Sequence, residues 1–365
     1  MQAREWWTVR GDAGRVVDDL RRWLDAPATE DDDPPRLVVE TSGSTGAPKR
    51  VVLGRNAVLA SVRASAARLA QVRGAEASGP WVLALPPTFV AGLQVLARSL
   101  AAGHEPVLLE RDGWPDGDGW SISLVPTQLR RLLEDPTATA ALRRAHTVLL
   151  GGGPTGDLRE RAAAAGVHVV ATYGSAETAG GCVYDGLPLD GVAVALGEGG
   201  RIRIGGPTLF DGYAGDPEQT AAVLRDGWFH TSDAGTIDAD GRLCVIGRVD
   251  DVIVSGGLNV PGPAVAARLQ AHPDVAAAEV VGVDDAEWGR AVVAVVEPRA
   301  ERPAPSLAEL RDWVAGELPR AWAPRRVVHV DRVPLMAQGK PDRRALRRLA
   351  EEAHGRDRTS EGDGR

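Results

Sequence analysis

The chain has 365 residues, 44% of them apolar, so it is long enough for two domains that each bury a core. Its formal net charge of −8 argues against a nucleic-acid partner, because binding a phosphate backbone needs a basic surface. Cys182 and Cys244 offer neither a disulfide framework nor a CxxC site, which suits a reducing cytoplasm. The N-terminus lacks the apolar segment of a secretory signal, and no apolar stretch reaches the roughly 20 residues of a membrane span. We therefore expect a cytoplasmic protein without membrane insertion.

The first half of the chain alternates short apolar segments with segments of helical period. Strands are predicted at 36–40, 81–85, 105–110, 122–125, 147–150 and 167–174. Helices are predicted at 56–73, with Asn56 as its N-cap, and at 127–134 and 157–165. This alternation predicts a mostly parallel sheet flanked by helices, in which ligands bind at the carboxyl ends of the strands.

The pattern changes in the second half of the chain. Short strands punctuated by glycine over 191–247 predict a small antiparallel subdomain, and a separate α+β unit follows residue 250, with helices near 262–271, at 306–317 and from 341. The predicted fold class is α/β. The predicted domains are a large N-terminal domain at 1–247, a boundary at 248–251, a smaller C-terminal domain at 252–354 and a disordered tail at 355–365.

A loop rich in hydroxyls and glycines, TSGSTGAPKRV (41–51), directly follows the first predicted strand. Glycines allow a backbone to approach a polyphosphate closely, hydroxyls donate hydrogen bonds, and lysine adds positive charge. A Walker A loop is excluded, because Pro48 and Arg50 stand where its second glycine and its magnesium-binding hydroxyl belong. A polar surface loop is the remaining alternative. The candidate phosphate-binding residues are Thr41, Ser42, Gly43, Ser44, Thr45, Gly46 and Lys49.

A second segment, TYGSAETAGGCVYDG (172–186), turns from a strand into a glycine-rich loop that carries Glu177. Magnesium that accompanies nucleotide phosphates prefers one or two carboxylates together with phosphate oxygens, so Glu177 is the metal candidate. An exposed loop glutamate is the alternative. No competing machinery is present in the sequence, since the seven histidines are scattered and no GxSxG segment occurs.

Three later segments are weak signals when each is taken alone. GWFHTSDAG (227–235) places Asp233 after a strand-like segment, as a group that accepts hydrogen bonds from two ribose hydroxyls would be placed. The ordinary interpretation of GRVDDVIVSGGLNV (247–260), taken alone, is a turn with a surface ion pair. The ordinary interpretation of Lys340 in PLMAQGKPDR (334–343), taken alone, is a solvated loop lysine.

Together, these five segments resemble, in order, the motifs of the adenylate-forming acyl-CoA synthetase family, and they span residues 41 to 343. The resemblance implies a mobile C-terminal domain and two reactions: an acid and ATP give an acyl-adenylate and pyrophosphate, and coenzyme A then takes the acyl group. ATP, Mg²⁺ and coenzyme A are the implied cofactor and co-substrates. The implied roles are catalysis for Lys340 and Glu177, adenine contact for Tyr173, ATP binding for Gly152 and Gly153, ribose binding for Asp233 and Arg248, a hinge pivot for Asp250, and the coenzyme A tunnel for Gly256 and Gly257.

The chain departs from the family motifs at three positions. Ala176 replaces a threonine before the glutamate, Ser232 replaces a glycine before Asp233, and Phe89 replaces a histidine in the LPPTFVAG segment (85–92). The first departure removes a phosphate-facing hydroxyl, and the third lies at the implied gate between the acyl and coenzyme A tunnels.

Within the family, SLVPTQL (123–129), LLGGGP (149–154) and ETAGGCVYDG (177–186) resemble the o-succinylbenzoate-CoA ligases of menaquinone biosynthesis, particularly the actinobacterial type. The resemblance implies 2-succinylbenzoate as the acid. The predicted acyl site comprises Gly151, Gly180 and Gly181 as a flat wall, Phe89, and Arg98 as a partner for the carboxylate that is not activated. A ligase for another aryl or acyl acid, and a non-catalytic relative that binds nucleotide or acyl-CoA, remain alternatives. A homodimer is compatible with the sequence.

Overall fold

A computed structural model describes residues 6–26, 35–41, 48–74, 79–249, 252–336 and 341–362, without the side chains of 259 and 355–362. The chain divides into two compact units. The first comprises Met1–Glu198, Ile202–Thr231 and Ile237–Cys244, and the second comprises Gly199–Arg201, Ser232–Thr236 and Val245–Arg365. Within the described ranges, no helix is long and apolar enough to cross a membrane.

The strands up to residue 248 are two to ten residues long. They are β1 (Trp6–Thr8), β2 (Arg36–Thr41), β3 (Lys49–Leu53), β4 (Trp81–Leu83), β5 (Val107–Leu108), β6 (Ser121–Leu124), β7 (Thr147–Leu150), β8 (Val169–Ser175), β9 (Gly180–Tyr184), β10 (Leu187–Pro188), β11 (Ala193–Leu196), β12 (Arg201–Gly205), β13 (Gly212–Tyr213), β14 (Leu224–Arg225), β15 (Trp228–Ile237) and β16 (Leu243–Arg248).

The helices in the same part of the chain connect these strands. They are α1 (Ala13–Asp25), α2 (Arg55–Arg73), α3 (Val90–Ala101), α4 (Leu109–Asp112), α5 (Pro126–Glu134), α6 (Pro136–Leu142), α7 (Leu158–Ala164) and α8 (Pro217–Val223). The later elements are β17 (Val252–Ser255), β18 (Leu258–Pro261), α9 (Gly262–Gln270), β19 (Val275–Asp285), β20 (Gly289–Pro298), α10 (Leu307–Ala315), β21 (Arg326–His329) and α11 (Arg343–Gly362).

A seven-stranded sheet in the order β10-β9-β8-β7-β6-β4-β5 carries the first unit. Its five strands from β8 to β5 run parallel, and β9 and β10 are antiparallel additions at one edge. The residues of β4, β6 and β7 are all buried, as expected for parallel strands covered by helices on both faces. The α/β prediction is confirmed.

The first predicted strand, however, lies outside this parallel sheet. Strand β2 belongs to a mixed four-stranded sheet in the order β1-β2-β3-β13, in which β2 and β3 are an antiparallel pair joined by residues 42–48. The predicted antiparallel subdomain contains the β11–β12 pair and the β14–β15 hairpin.

Three local predictions differ from the structure. Helix α2 begins at Arg55 with Gly54 as its N-cap and no side-chain cap, so Asn56 lies inside the first turn. The strand predicted at 105–110 is only two residues long, because the chain enters α4 at Leu109. Helix α11 extends to Gly362, into the segment for which composition predicts disorder.

The second unit contains a three-stranded sheet in the order β19-β20-β21. Alternate residues of β20 face opposite sides, as strand geometry requires. Val292, Ala294 and Val296 pack in one core with residues of α9 and α10, and Ala291, Val293 and Val295 pack in another with Leu346 and Ala350 of α11.

The two cysteines occupy contrasting environments. Cys182 in β9 is fully buried, and burial raises the pKa of its thiol to about 12. Cys244 in β16 is exposed.

Candidate active site

Several predicted site segments follow parallel strands of the seven-stranded sheet and therefore lie at its carboxyl edge. The segment after β4 leads to Phe89, the segment after β7 is Gly151–Gly153, and the turn after β8 carries Glu177. Because β4, β6, β7 and β8 are parallel neighbours, their carboxyl ends lie side by side. This is where parallel α/β sheets bind ligands.

The glycines of the predicted acyl wall are required by packing. A Cβ atom on Gly151 would lie 2.4 Å from Thr172 Oγ1, and one on Gly181 would lie 3.2 Å from Tyr184 Cε1. Gly180 has φ +98°, and a Cβ atom there would approach the Gln94 side chain at 3.1 Å. The backbone at 151 and 180–181 thus packs directly against neighbouring side chains.

The turn that carries Glu177 is held on both sides. The Ser175 N–H donates to Thr178 Oγ1 at 2.9 Å, which closes the single helical turn at 176–178. Ala179 follows with φ +50°, a left-handed conformation that costs a residue with a Cβ about 1–2 kcal/mol. Its buried carbonyl oxygen accepts hydrogen bonds from Ser61 Oγ at 3.1 Å and Gln94 Nε2 at 2.6 Å, which compensate for this conformation.

Glu177 is half-buried and contacts a tyrosine that the sequence analysis missed. Tyr213 Oη donates a 2.8 Å hydrogen bond to Glu177 Oε1. Burial first, and then the negative charge of Glu177, raise the pKa of Tyr213, so the phenol stays protonated and remains a donor. The Lys49 ammonium lies 5.1 Å from the centroid of the Tyr213 ring. Tyr213 therefore connects the lysine of the predicted phosphate loop to the predicted metal ligand.

A signal for this contact exists in the composition. The chain has only three tyrosines, and all three, Tyr173, Tyr184 and Tyr213, lie in or beside the predicted site. Tyr173 in β8 packs beside the core of the antiparallel sheet, and Tyr184 ends β9.

The surroundings of Glu177 fit a magnesium ion that is carried mainly by nucleotide phosphates. Its second oxygen, Oε2, is bonded to no other described residue. Within the described ranges, no group of three or more His, Cys, Asp or Glu side chains could form a protein cage for a metal ion. A single carboxylate oxygen together with phosphate oxygens is a common way to hold Mg²⁺.

Arg98 in α3 is buried, with 6% of its surface exposed. Its guanidinium lies 4.9 Å from the centroid of the Trp81 ring, and its Nη2 donates to Tyr184 Oη at 3.2 Å. Ser65 bonds the same phenol at 2.8 Å. The Arg98 Nε is buried without a hydrogen bond, and no carboxylate of the described chain forms an ion pair with it. A buried cation of this kind is costly unless an anion pairs with it.

Two departures from the family motifs have defined surroundings. Ala176 is 4% exposed and packs in the main core of the first unit. Phe89 is half-buried, is the N-cap residue of α3, and accepts a hydrogen bond from the Leu93 N–H at 2.9 Å. The tight turn before it depends on Gly92, because a Cβ atom there would lie 2.2 Å from the Pro86 carbonyl oxygen.

The remaining described candidates belong to the second unit. Asp233 lies in β15 and Arg248 ends β16, both half-buried. Gly256 and Gly257 form the two-residue turn of the β17–β18 hairpin, with φ +58° and +77°. Two positive φ values in a two-residue hairpin turn favour glycine. A Cβ atom on Gly256 would lie 2.7 Å from Trp288 Cε3. The predicted residues Ser42–Gly46, Asp250 and Lys340 lie outside the described residues.

Two parts of the chain match models of known protein families. Residues 5–202 match the AMP-binding enzyme family, and residues 264–340 match the AMP-binding enzyme C-terminal domain. The chain belongs to the AMP-binding enzyme family. The resemblance inferred from the five sequence motifs is thereby confirmed.

Relatives within the AMP-binding enzyme family carry more specific names. A probable 2-succinylbenzoate–CoA ligase of Mycobacterium tuberculosis is 44% identical over 88% of this chain and 86% of that protein. A feruloyl-CoA synthase of an Amycolatopsis species is 33% identical over 87% and 73%.

Solved structures of this family have the same fold. The o-succinylbenzoate CoA synthetase of Bacillus subtilis in complex with its acyl-adenylate intermediate matches with a TM-score of 0.73 and 29% identity, over 85% of this chain and 68% of that one. The same synthetase in complex with ATP and a magnesium ion matches with a TM-score of 0.72 and 28% identity, over 86% and 69%.

Proposed function

We propose that this protein is an acid–thiol ligase of menaquinone biosynthesis that activates 2-succinylbenzoate with ATP and transfers the acyl group to coenzyme A. The observation that carries the proposal is Arg98, a buried guanidinium that donates to Tyr184 Oη and pairs with no carboxylate of the described chain. An aromatic acid with a second carboxylate supplies the missing anion in a geometry that a guanidinium can bind with two hydrogen bonds. Relatives named for this acid support the same choice.

In the first reaction, the succinyl carboxylate attacks the α-phosphorus of ATP. An oxygen–phosphorus bond forms, the bond to pyrophosphate breaks, and the acyl-adenylate results. Lys49 and the hydroxyls of the 41–46 loop hold the leaving pyrophosphate, and Lys340 offsets negative charge at the reacting carboxylate and α-phosphate. Glu177 would hold the magnesium ion, which would neutralise phosphate charge. Positioning and electrostatic stabilisation supply most of the rate in such displacements.

Other site residues bind the rest of the substrates. Tyr173 lies against the adenine, and Asp233 accepts hydrogen bonds from the ribose with assistance from Arg248. In the second reaction, the coenzyme A thiol attacks the acyl carbon and AMP leaves. The C-terminal domain turns about Asp250 between the two reactions, so that Gly256 and Gly257 line the thiol tunnel only in the second.

The deciding experiment is a comparison of acids. Purified protein with ATP, Mg²⁺ and coenzyme A is expected to release AMP and form a thioester with 2-succinylbenzoate, and far more slowly with ferulate or benzoate. Faster turnover of ferulate would support a ligase for another aryl acid, the activity for which the 33% identical relative is named. Nucleotide binding without AMP release for any acid would support the non-catalytic alternative that Ala176 and Phe89 raise.

Location and assembly complete the proposal. We propose a cytoplasmic enzyme, in keeping with its two unpaired cysteines. A homodimer is the proposed assembly, and light scattering on the purified chain measures it directly.

A further inference from the structure

Tyr213 occupies a position that no motif of the sequence analysis assigned. Strand β13 pairs with β3 so that Tyr213 faces Val51, and Lys49 lies two residues further along the same face of β3. Diagonal neighbours at this spacing lie within reach of an aromatic ring, which explains why the Lys49 ammonium lies over Tyr213. The contact between the two residues is thus fixed by strand register.

The Tyr213 ring is held on its other sides as well. Phe210 packs against it edge-on with ring centroids 5.1 Å apart, and the Tyr213 N–H donates to Thr220 Oγ1 at 2.8 Å. The phenol is 7% exposed. The backbone also connects this segment to the Glu177 turn, because the Phe210 N–H donates to the Glu177 carbonyl oxygen at 2.9 Å. Segment 210–213 and the Glu177 turn are therefore connected by two hydrogen bonds.

The hydroxyl of Tyr213 engages only one oxygen of the carboxylate. Its hydrogen bond to Glu177 Oε1 leaves Oε2 without a partner in the described chain. A hydrogen bond of this kind selects one orientation of a carboxylate that would otherwise rotate, and such partners of metal ligands strongly affect metal affinity.

Lys49 and Glu177 contact the same tyrosine without forming an ion pair with each other, although both are described. A direct ion pair would neutralise the two charges before any ligand arrived. With the ring contacting the ammonium and the hydroxyl contacting the carboxylate, both charges stay available to ligands: one for phosphate oxygens and the other for a cation.

We propose that Tyr213 is a positioning residue that aims Glu177 Oε2 at the magnesium ion of MgATP and holds Lys49 away from that carboxylate. The inference rests on the proposed function, because it takes the nucleotide and its metal as the ligands of this site. Tyr213 touches neither; it acts through the two charged residues.

The test separates the metal-dependent part of nucleotide binding from the rest. We measure the Kd of ATP by titration calorimetry in Mg²⁺ and again in EDTA, without acid or coenzyme A. The Tyr213→Phe variant keeps the ring over which Lys49 lies and loses only the hydroxyl. We expect its Kd for MgATP to rise at least about 10-fold, as is usual when a partner of a metal ligand is removed. Its Kd for ATP in EDTA is expected to stay at the wild-type value.

The matched control is Thr139→Val, which removes another buried hydroxyl from the same unit, one that donates to the Leu132 carbonyl oxygen at 3.0 Å. It is expected to leave both Kd values unchanged. Wild-type MgATP affinity in Tyr213→Phe, or an equal loss in Mg²⁺ and in EDTA, would show that the tyrosine only fills the core. Failure of the wild-type chain to bind MgATP would instead overturn the proposed function.

A double-mutant cycle keeps the inference testable if Tyr213→Phe is unstable. In a Glu177→Gln background the hydroxyl no longer has a metal-ligating carboxylate to orient. Adding Tyr213→Phe is then expected to change the Kd for MgATP less than twofold, whereas an undiminished 10-fold effect would contradict the proposal.

Discussion

Replacing Arg98 with methionine tests the choice of acid most directly. Methionine keeps an unbranched side chain that can pack on Trp81, and it removes the charge together with the hydrogen bond to Tyr184 Oη. Because Arg98 is 6% exposed, the proposed interaction with the substrate carboxylate would occur away from bulk water. Loss of one partner from such a desolvated pair costs about 2–5 kcal/mol. At about 1.4 kcal/mol per tenfold change, the KM for 2-succinylbenzoate should rise at least about 30-fold.

The assay is a substrate comparison within each variant. The second acid is 4-oxo-4-phenylbutanoate, which keeps the reacting carboxylate and lacks the aromatic one. The wild-type enzyme should strongly prefer 2-succinylbenzoate, and Arg98→Met should bring the kcat/KM values of the two acids close together while the KM for ATP and for coenzyme A stays unchanged.

Arg203 provides a matched control, because it is a second arginine that packs on a tryptophan ring. Arg203 lies 5.5 Å from the centroid of the Trp228 ring, and its Nε is also buried without a hydrogen bond. Arg203→Met should therefore leave the preference between the two acids intact. If Arg98→Met lowered kcat/KM by the same factor for both acids, Arg98 would serve folding, and the assignment of the substrate carboxylate to it would be refuted.

Three further predictions concern the glycines and the proposed catalytic lysine. Gly151→Ala should lower kcat/KM for the acid by up to about 100-fold, because its Cβ would displace the wall at Thr172 Oγ1, and adding Thr172→Ala should restore part of the loss. Gly256→Ala and Gly257→Ala each place a Cβ atom on left-handed backbone, which costs about 1–2 kcal/mol. Only the Cβ atom at 256 also meets Trp288. The free energy of unfolding, measured with a denaturant, should therefore fall more in Gly256→Ala than in Gly257→Ala. Lys340→Ala should slow pyrophosphate release by about 10²–10³-fold and still convert supplied acyl-adenylate and coenzyme A into thioester; loss of both reactions would contradict a role confined to the first.

Helices and strands could be predicted where the local pattern of apolar residues determines the element. Continuous apolar segments such as TVLL (147–150) are typical of strands covered on both faces, and the structure buries every residue of β7. Prediction was poorer where pairing with distant segments determines the element. The segment at 105–110 is apolar enough for a strand, yet only Val107 and Leu108 pair with β4 before a helix begins.

The residues of the candidate site also fall into two groups: those that lie in contiguous motifs, and those that come together only through the fold. Glu177 and the glycines stand in contiguous motifs, so their neighbourhood can be read along the chain. Tyr213 contacts Lys49 because β13 pairs with β3, and these two residues are more than 150 positions apart, so no local pattern encodes their contact. Arg98 is an arginine on a helix, which usually indicates solvent exposure. Its burial depends on Trp81 and Tyr184, from two different strands.

The contrast between the two cysteines has a practical consequence for following domain motion. A maleimide probe reacts with thiolate, which Cys182 hardly forms because burial raises its pKa to about 12, whereas Cys244 is exposed. The unaltered chain therefore accepts a dye or spin label at one position, six residues before the proposed pivot Asp250. A label at that position would report, through its own mobility or emission, whether the backbone near the pivot changes conformation when the acid, ATP or coenzyme A is added.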